Sequence, residues 1–535
     1  MKMSPYNKVP DIKNLKQLID YTAQTYGDKE VFRFERNKET VSVKYSEMKK
    51  DIDALGTYFY SLGLKDSKIV VYGENSYEWV ITYLAAVNGS NVIVPIDKEL
   101  GAAELATLTN DSGAKAVVHS EAKKVIVDEA KENITCVEHY ICMTEIADAI
   151  KKGTELIESG NKEYLENVID PEKMCSLIYT SGTTGNPKGV MLNHRNLASD
   201  VTLSCANLRE PEGTVVVLPL NHTFGFMAGI LCQFLTGYPT YINNSIRNVL
   251  RDIQTMKPRH ISVVPLYVET FYKNIWKNAK KQGKDKLLKK MIVVSNCLRK
   301  VGIDLRKVFF KSVIDAFGGN LEMLITGGAP IDNKYMKGFE DIGISIVNGY
   351  GITECSPIVA TNRNKEYRFG SVGLAIPGVD VKVDNPNEEG EGELLVKGDI
   401  VMMGYYNNPE ATAAAFDGEW FRTGDIGKSD EDGFIFITGR KKNIIILSNG
   451  KNIYPEELEA VILGVEGVTE VLVYGKNDCI CAEIYTETPQ EKDRIKKDVQ
   501  ALNASLPSQK QIQIVEFRDT EFEKTTTKKI KRFLH

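Results

Sequence analysis

Short apolar runs rich in β-branched residues alternate with longer stretches of helical character from the start of the chain to about residue 440. Three of these runs are KIVVYG (68–73), NVIVPI (91–96) and KAVVHS (115–120). Apolar strands separated by helices are typical of parallel sheets that carry helices on their faces. The pattern therefore predicts an α/β fold with stacked parallel or mixed sheets.

The pattern changes at Val381, where strands become shorter and turns more frequent. The stretches VKVDNPNEEGEGELLVKG (381–398) and GFIFITG (433–439) place Gly and Asn-Pro turns between short strands, which favours a small antiparallel barrel or sheet. GRKKN (439–443) then sets a glycine before three charges, which indicates a hinge or, alternatively, a solvated run of charge. A helix and two strands follow it. We therefore predict a large domain, 1–439, and a small α+β domain, 440–535.

Composition excludes several classes of protein. Hydrophobic residues make up 42% and charged residues 26% of the 535 positions, which is typical of globular chains and argues against disorder. A net charge of −5 provides no basic field, so we expect no nucleic-acid partner. The nine cysteines are scattered without a CxxC pair, so neither a disulfide framework nor a zinc site is predicted.

Membrane insertion and secretion are not predicted either. The longest apolar run, FGFMAGILCQFL (224–235), is shorter than the roughly 18 residues that suggest a membrane span. The first residues, MKMSPYNKVP, have no apolar core of signal-peptide length. We therefore expect a protein of the reducing cytoplasm.

The segment YTSGTTGNPKGV (179–190) gathers glycines, hydroxyls and one lysine between two strand-like runs, CSLIYT and GVMLN. Glycine permits backbone angles that let successive N–H groups point inward and bind an anion. The segment therefore predicts a phosphate cradle in a β-turn-β setting, and a flexible polar hairpin tip is the alternative. The cradle would use the backbone or hydroxyl of Thr180, Ser181, Gly182, Thr183, Thr184, Gly185 and Gly189, and the charge of Lys188.

This loop and the motifs around it resemble those of the acyl-adenylate-forming enzymes, which include acyl-CoA synthetases, peptide-synthetase adenylation domains and luciferases. The resemblance spans almost the whole chain and implies that the C-terminal domain is mobile. It also implies ATP, Mg²⁺ and CoA as reactants. The similar segments are NGSNVIVPID (88–97), LITGGAPI (324–331), NGYGITE (348–354), GELLVKGDIVMMGYYNNPEAT (392–412), WFRTGDIG (420–427) and GRKKNIIILSNGKNIYPEELE (439–459).

The resemblance also assigns nucleotide contacts. Thr184 and Glu354 are implied Mg²⁺ ligands, Thr353 a donor to a phosphate oxygen, and Tyr350 a stacking partner of adenine. The alternatives are an ordinary exposed Glu354 and a Tyr350 that only packs in the core. The implied contacts of the adenine turn and of the following nucleotide motif are Gly327, Gly328, Ala329, Pro330, Asn348, Gly349 and Gly351.

In the second half of the family pattern, Asp425 would bind the ribose and Arg440 a ribose or phosphate oxygen, while Lys442 lies at the hinge. The alternative for Asp425 is a turn-forming aspartate. Gly450, in LSNGKN (447–452), would leave room for the narrow pantetheine arm of CoA.

The basic end, EKTTTKKIKRFLH (523–535), resembles the segment that carries the family's catalytic lysine. Alignment of the Lys-Ile-x-Arg pattern selects Lys529, with Arg532 three residues further on. Lys528 stands where the family usually has glycine, so Lys528 remains a second candidate. A disordered basic tail is the alternative, because Lys-rich termini are commonly disordered.

The acid is predicted to be a medium- or long-chain fatty acid. LPLNHTFGFMAGI (218–230) has His222 and Phe224 where amino-acid-activating relatives carry an aspartate, although His222 is alternatively a structural histidine. In the segment 439–459, Gly450 falls one residue later than the matching glycine of acetyl-CoA-type members, and this longer form resembles the long-chain branch. The helical segment 266–319 is long, as in long-chain members, and holds 13 Lys or Arg against 4 Asp or Glu.

We therefore predict an AMP-forming acid–thiol ligase that makes an acyl-adenylate and transfers the acyl group to CoA. A phosphopantetheine carrier protein is an alternative acceptor, and a non-catalytic nucleotide- or lipid-binding scaffold is the alternative from a different class. We expect a monomer or homodimer. The basic segment 266–319 suggests weak peripheral contact with the inner face of the membrane, and a solvated helix face is the alternative.

Overall fold

The computed structural model describes residues 5–180, 187–446, 452–476, 479–524 and 530–532. These residues pack as two compact units. The first unit takes the described residues up to Asp380 together with 397–414, and the second takes 381–396 and the described residues from Ala415 onward. The predicted division into a domain 1–439 and a mobile domain 440–535 stays a prediction.

The first unit contains a seven-stranded sheet that is parallel except at one edge. Its parallel strands are the apolar runs seen in the sequence, and they are almost completely buried. In spatial order the strands are Gly404–Tyr405, Lys188–Asn193, Met174–Thr180, Val92–Ile96, Lys68–Tyr72, Ala116–His119 and His139–Cys142.

The same unit contains a nine-stranded sheet with a parallel centre and antiparallel pairs at both ends. Helix Tyr77–Asn88, of which only Glu78 is not buried, contacts both sheets: Tyr77 stacks on Phe34 at 5.3 Å between ring centroids, and the helix packs on strands Lys68–Tyr72 and Val92–Ile96. In spatial order the nine strands are Leu374–Ala375, Ile358–Thr361, Ser345–Gly351, Met323–Thr326, His260–Val263, Thr214–Val216, Thr240–Ile242, Glu30–Arg36 and Glu39–Lys44.

Helices connect and cover these sheets, which confirms the predicted α/β fold. The segment 266–319 is helical, as expected. In the described part of the chain, no helix is both long and apolar enough to cross a bilayer. The remaining helices up to residue 415 are Leu15–Tyr26, Tyr45–Ser61, Ala102–Ser112, Lys124–Ala130, Ile146–Glu158, His194–Asn207, Thr223–Phe226, Met227–Leu231, Cys232–Thr236, Val249–Met256, Pro265–Lys281, Asp285–Lys300, Arg306–Phe309, Lys311–Ala316, Asn333–Ile342 and Pro409–Ala415.

The second unit begins where the sequence pattern changes, at Val381. Its first part is a five-stranded sheet with the short strands and turns that were predicted: Asp380–Asp384, Gly392–Lys397, Trp420–Ser429, Phe416–Asp417 and Ile435–Arg440. Its second part is a separate apolar core built from Ile445–Ile446, Asn452–Ile453, Pro455–Ile462, Glu470–Lys476, Cys479–Tyr485, Lys492–Leu502 and Ile514–Arg518.

A buried histidine joins the start of the chain to the centre of the first unit. His194 is the first residue of its helix and is 1% exposed. Its Nδ1 accepts a hydrogen bond from the backbone N–H of Leu15 at 3.4 Å, so it fastens the start of helix Leu15–Tyr26. Burial lowers the pKa of His194 to about 4, because a charged imidazole is poorly solvated there.

This histidine predicts a stability that falls in mild acid. Its pKa of about 4 in the fold lies below the roughly 6.5 of an unfolded chain, so the unfolded state binds more protons between these values. Stability is therefore lost as pH falls from about 6.5 to 4, by up to about 3 kcal/mol. Urea unfolding midpoints at pH 7, 6 and 5 should fall more steeply for wild type than for His194→Gln. Equal slopes would contradict the assignment.

Candidate functional site

The predicted phosphate loop connects two antiparallel strands at the edge of the seven-stranded sheet. Thr180 ends strand Met174–Thr180 and lies opposite Lys188, which begins strand Lys188–Asn193. The Thr180 hydroxyl donates to the Lys188 carbonyl at 3.4 Å. The β-turn-β setting is therefore as expected. The loop tip, with Ser181, Gly182, Thr183, Thr184 and Gly185, lies outside the described residues, and the roles of these residues stay predictions.

The loop lysine and the predicted metal ligand both contact one tyrosine. Lys188 Nζ lies 4.8 Å from the ring centroid of Tyr405. The Tyr405 hydroxyl donates to Glu354 Oε1 at 2.9 Å. Lys188 and Glu354 are far apart in the sequence, and both contact the side chain of Tyr405.

The adenine turn and the nucleotide motif follow neighbouring parallel strands. Thr326 of strand Met323–Thr326 pairs with Asn348 of strand Ser345–Gly351, so the residues after Thr326 and those from Asn348 onward meet at the carboxyl ends of the strands. This edge is where open α/β sheets bind ligands. It contains the predicted contacts Gly327, Gly328, Ala329, Pro330, Asn348, Gly349, Tyr350 and Gly351.

Close backbone approach explains two of these glycines. A Cβ on Gly351 would lie 2.0 Å from the Pro357 carbonyl oxygen, and a Cβ on Gly327 would lie 3.2 Å from the Gly349 carbonyl oxygen. Only glycine fits Gly351 without a backbone shift. These contacts are structural, so they are compatible with nucleotide binding without requiring it.

The side chains of this edge differ in exposure. Asn348 is buried and its Nδ2 donates to the Ser371 carbonyl at 3.2 Å, which ties it to the neighbouring loop. Tyr350 and Thr353 are partly exposed. Thr353 opens the short helical turn Thr353–Cys355 that carries Glu354. Stacking by Tyr350 and phosphate binding by Thr353 remain predictions.

His222 lies beside a small apolar cavity in the first unit. It immediately precedes helix Thr223–Phe226, and its Nε2 is 3.8 Å from Oδ2 of Asp97, which follows strand Val92–Ile96. Phe224 packs against the core next to the adenine turn. The cavity is lined by Tyr83, Pro95, Ile178, Leu197, Leu220, Asn221, Thr223, Phe226, Met227 and Ser356.

In the second unit, Asp425 and Arg440 form an ion pair across two antiparallel strands. They are direct partners in the ladder, and Arg440 Nε lies 2.7 Å from Asp425 Oδ1. Asp425 is 3% exposed. Gly424 has φ +70, a conformation that favours glycine, and Thr423 Oγ1 accepts from the Asp425 N–H at 3.0 Å. The TGD turn therefore fixes the Asp425 carboxylate.

The hinge and the basic end are described in part. Lys442 lies in the turn Lys441–Asn443 directly after strand Ile435–Arg440. Gly450, Lys528 and Lys529 fall outside the described ranges, so the choice of catalytic lysine stays open. Arg532 forms an ion pair with Glu459 and donates to the Val473 carbonyl at 3.1 Å. Arg532, which belongs to the basic run, is therefore attached to the second unit.

A profile of the AMP-binding enzyme family matches residues 19–406, well over half of the chain. The chain belongs to the AMP-binding enzyme family. The long-chain-fatty-acid–CoA ligase FadD15 of Mycobacterium bovis is 28% identical over 480 residues, which cover 84% of this chain and 78% of that protein.

Solved structures of this family share the fold. The anthranilate CoA ligase AuaEII in complex with anthranoyl-AMP matches with a TM-score of 0.79 at 22% identity, covering 97% of this chain and 96% of that one. The fatty acyl CoA synthetase of Mycobacterium tuberculosis matches with a TM-score of 0.70 at 23% identity, covering 98% and 97%. These likenesses confirm the predicted fold and leave the identity of the acid to other arguments.

Family membership confirms the predicted class, an AMP-forming acid–thiol ligase. Acyl-CoA ligases of this kind use ATP, Mg²⁺ and CoA. In the described residues, Thr180, Lys188 and Glu354 offer the hydroxyl, ammonium and carboxylate groups that suit a magnesium–triphosphate ligand.

Two side chains of this AMP-binding enzyme were not singled out from the sequence. Tyr405 lies in the quoted segment 392–412, and Asp97 ends the quoted segment 88–97. Both segments were recognised as motifs, but nothing local shows that Tyr405 contacts Glu354 or that Asp97 lies near His222. These pairings depend on the tertiary fold.

Proposed function

We propose that this chain is an ATP-dependent acyl-CoA synthetase that activates a medium- or long-chain fatty acid. The observation that carries the proposal is that Lys188 and Glu354 both contact Tyr405, Lys188 at its ring and Glu354 at its hydroxyl, at the base of the phosphate-loop hairpin. This arrangement offers a cation to a triphosphate and a carboxylate to its Mg²⁺. The family match supplies the reaction class.

The first half-reaction joins two anions. A carboxylate oxygen of the acid attacks the α-phosphorus of ATP, and the bond from that phosphorus to pyrophosphate breaks. Lys188 would stabilise the charge that develops on the phosphates. Glu354 and Thr184 would hold Mg²⁺, which would neutralise charge on the phosphates. Asp425 and Arg440 are proposed to bind the ribose.

A fatty acid is favoured mainly by the relatives of this chain. The apolar space beside His222, lined by Ile178, Leu197, Leu220, Phe226 and Met227 among others, measures only about 10 Å³ and holds no more than a water-sized group. Its lining is compatible with an apolar acid, but it does not define the length of the acyl chain. The relative FadD15 is named for long-chain fatty acids, which supports the same choice.

In the second half-reaction, the thiol sulfur attacks the acyl carbonyl carbon and AMP leaves. We propose free CoA as the acceptor, with the segment around Gly450 beside its pantetheine arm. A carrier protein brings the same arm, so it remains the alternative acceptor. A monomer or homodimer is sufficient for this chemistry. The scaffold alternative is weakened because every charged position that the chemistry needs is filled, by Lys188, Glu354, Asp425, Arg440 and a lysine of the basic end.

Release of pyrophosphate from ATP tests the whole proposal. With acids from acetate to oleate and with benzoate and anthranilate, we expect the highest kcat/KM for a medium- or long-chain fatty acid, with a rise of about fourfold for each methylene that the protein buries. Preference for acetate or an aromatic acid would overturn the fatty-acid assignment. No release with any acid would favour the scaffold. Formation of acyl-CoA would support free CoA as the acceptor. Formation of acyl-carrier protein alone would support the carrier-protein alternative.

Separate half-reaction assays test the catalytic lysine. Lys529→Ala should lower adenylate formation at least about a hundredfold, because it removes charge stabilisation at the α-phosphate. Thioester formation from supplied acyl-AMP should be retained. Lys528→Ala is the matched control and should keep both activities. The reverse result would move the role to Lys528, and equal loss of both half-reactions in Lys529→Ala would contradict the assignment.

We further propose weak contact of the first unit with the anionic inner face of the membrane. The contact surface comprises helices Pro265–Lys281 and Asp285–Lys300 and the residues up to Lys311. In the described part of the chain, eight of its cations have no carboxylate within 4 Å, namely Lys277, Lys280, Lys281, Lys284, Lys286, Lys289, Lys290 and Lys300. Exposed apolar side chains lie among them: Leu287, Val293, Val294, Val301, Ile303 and Val308.

This combination of unpaired lysines and exposed aliphatic groups suits the interface of a membrane that contains anionic lipids. We expect the protein to sediment with phosphatidylglycerol vesicles at low salt and to be released at high salt. The triple substitution of Lys286, Lys289 and Lys290 by Gln should weaken binding about tenfold or more. The same substitution at Lys151, Lys496 and Lys497, exposed lysines on other helices, is the charge-matched control. Salt-independent or absent sedimentation would overturn the proposal.

A further inference from the structure

Tyr405 separates the two opposite charges of the site. Its ring centroid is 4.8 Å from Lys188 Nζ, and its hydroxyl donates to Glu354 Oε1 at 2.9 Å. Among the described residues, no carboxylate lies within 4 Å of the Lys188 ammonium, and no cation lies within 4 Å of the Glu354 carboxylate. The lysine and the glutamate therefore meet the same side chain without meeting each other.

The fold fixes Tyr405 from both sides. Strand Gly404–Tyr405 pairs with strand Lys188–Asn193, so that Tyr405 lies opposite Val190. The Tyr405 N–H donates to Thr412 Oγ1 at 2.9 Å. The N–H of the next residue, Tyr406, donates to the Gly189 carbonyl at 2.8 Å. The ring is thus attached to the strand that begins with Lys188.

Glu354 is attached to the same segment. Its backbone carbonyl accepts from the Met402 N–H at 2.8 Å. Two residues on, Ser356 Oγ donates to the Ile400 carbonyl at 2.8 Å. The segment 400–406 therefore bridges the strand that carries Lys188 and the turn that carries Glu354, and Tyr405 is the side chain that reaches both.

The chemistry of a phenol suits this position. A phenol is protonated at neutral pH because its ordinary pKa is about 10, so the Tyr405 hydroxyl can donate to Glu354. An aromatic ring attracts an ammonium without neutralising its charge. Lys188 therefore keeps a full positive charge that is available to a phosphate.

We propose that Tyr405 is a positioning residue that keeps Lys188 and Glu354 from forming an ion pair and orients the Glu354 carboxylate for Mg²⁺. The proposal rests on the proposed function, because it assumes that Lys188 and Glu354 serve the triphosphate and its metal ion. The hydroxyl acts on Glu354, and the ring acts on Lys188. Removing the hydroxyl alone and removing the whole ring therefore have different consequences.

The test measures how much Mg²⁺ increases the affinity of the protein for ATP. The Mg²⁺ ratio is the dissociation constant of ATP without Mg²⁺ divided by that with Mg²⁺, and both constants are measured by calorimetry. Tyr405→Phe keeps the ring and loses the hydrogen bond, so this ratio should fall about threefold to tenfold, with Mg²⁺-free ATP affinity unchanged. Tyr405→Leu removes the ring as well, so Lys188 can pair with Glu354. Its Mg²⁺-free ATP affinity should then also fall.

Two controls separate positioning from general packing. Tyr406→Phe is the matched control, because Tyr406 is the next residue, its ring receives Lys68 Nζ at 5.1 Å, and it contacts neither Lys188 Nζ nor Glu354. It should keep the wild-type ratio. In a double-mutant cycle, Tyr405→Phe should have no further effect on the ratio in a Glu354→Gln background.

Pyrophosphate release gives a second readout. Excess Mg²⁺ should restore the kcat of Tyr405→Phe to within about twofold of wild type, because only metal affinity is impaired, and it should not restore Tyr405→Leu. An unchanged Mg²⁺ ratio in Tyr405→Phe, or an effect that persists in the Glu354→Gln background, overturns the role of Tyr405 while leaving the proposed function intact. Wild-type protein that binds no ATP overturns both.

Discussion

The antiparallel turn at the edge of the seven-stranded sheet is the constraint on which the site depends. The sheet is parallel through strands Val92–Ile96 and Met174–Thr180, and the chain then reverses directly into Lys188–Asn193. A parallel connection would have required a long crossover, and the next strand would then not have begun opposite Thr180. The reversal instead returns Lys188 to the position opposite Thr180, so both ends of the phosphate loop are fixed by one ladder.

The same reversal creates an open sheet edge, and the chain covers it with a distant segment. Strand Gly404–Tyr405 pairs with Lys188–Asn193, which satisfies backbone groups that an edge strand leaves unpaired. That pairing also delivers Tyr405 to Lys188 and attaches the turn that carries Glu354. Edge protection and assembly of the site are therefore achieved by the same few residues.

The sequence predicted those parts of the fold that depend on neighbouring residues. The strands Lys68–Tyr72, Val92–Ile96 and Ala116–His119 were visible because buried parallel strands need continuous apolar runs. The β-turn-β setting of the loop and the change of architecture at Val381 were visible for similar reasons. The contacts of Tyr405 with Glu354 and of His222 with Asp97 were not, because each joins segments whose register is set by tertiary packing. The outcome for Lys529 is still open, since it lies beyond the described residues.

The charged residues proposed to contact the nucleotide are arranged in two different ways, and the difference matches the groups they are proposed to bind. Asp425 and Arg440 meet at 2.7 Å across their strands, so the buried carboxylate is already compensated. A compensated carboxylate attracts a metal ion weakly but still accepts hydrogen bonds from neutral hydroxyls, as a ribose requires. Lys188 contacts the ring and Glu354 the hydroxyl of the uncharged Tyr405, and neither has an oppositely charged partner within 4 Å among the described residues. Charges without such a partner suit a polyanion and its cation, because each charge can be neutralised by the ligand.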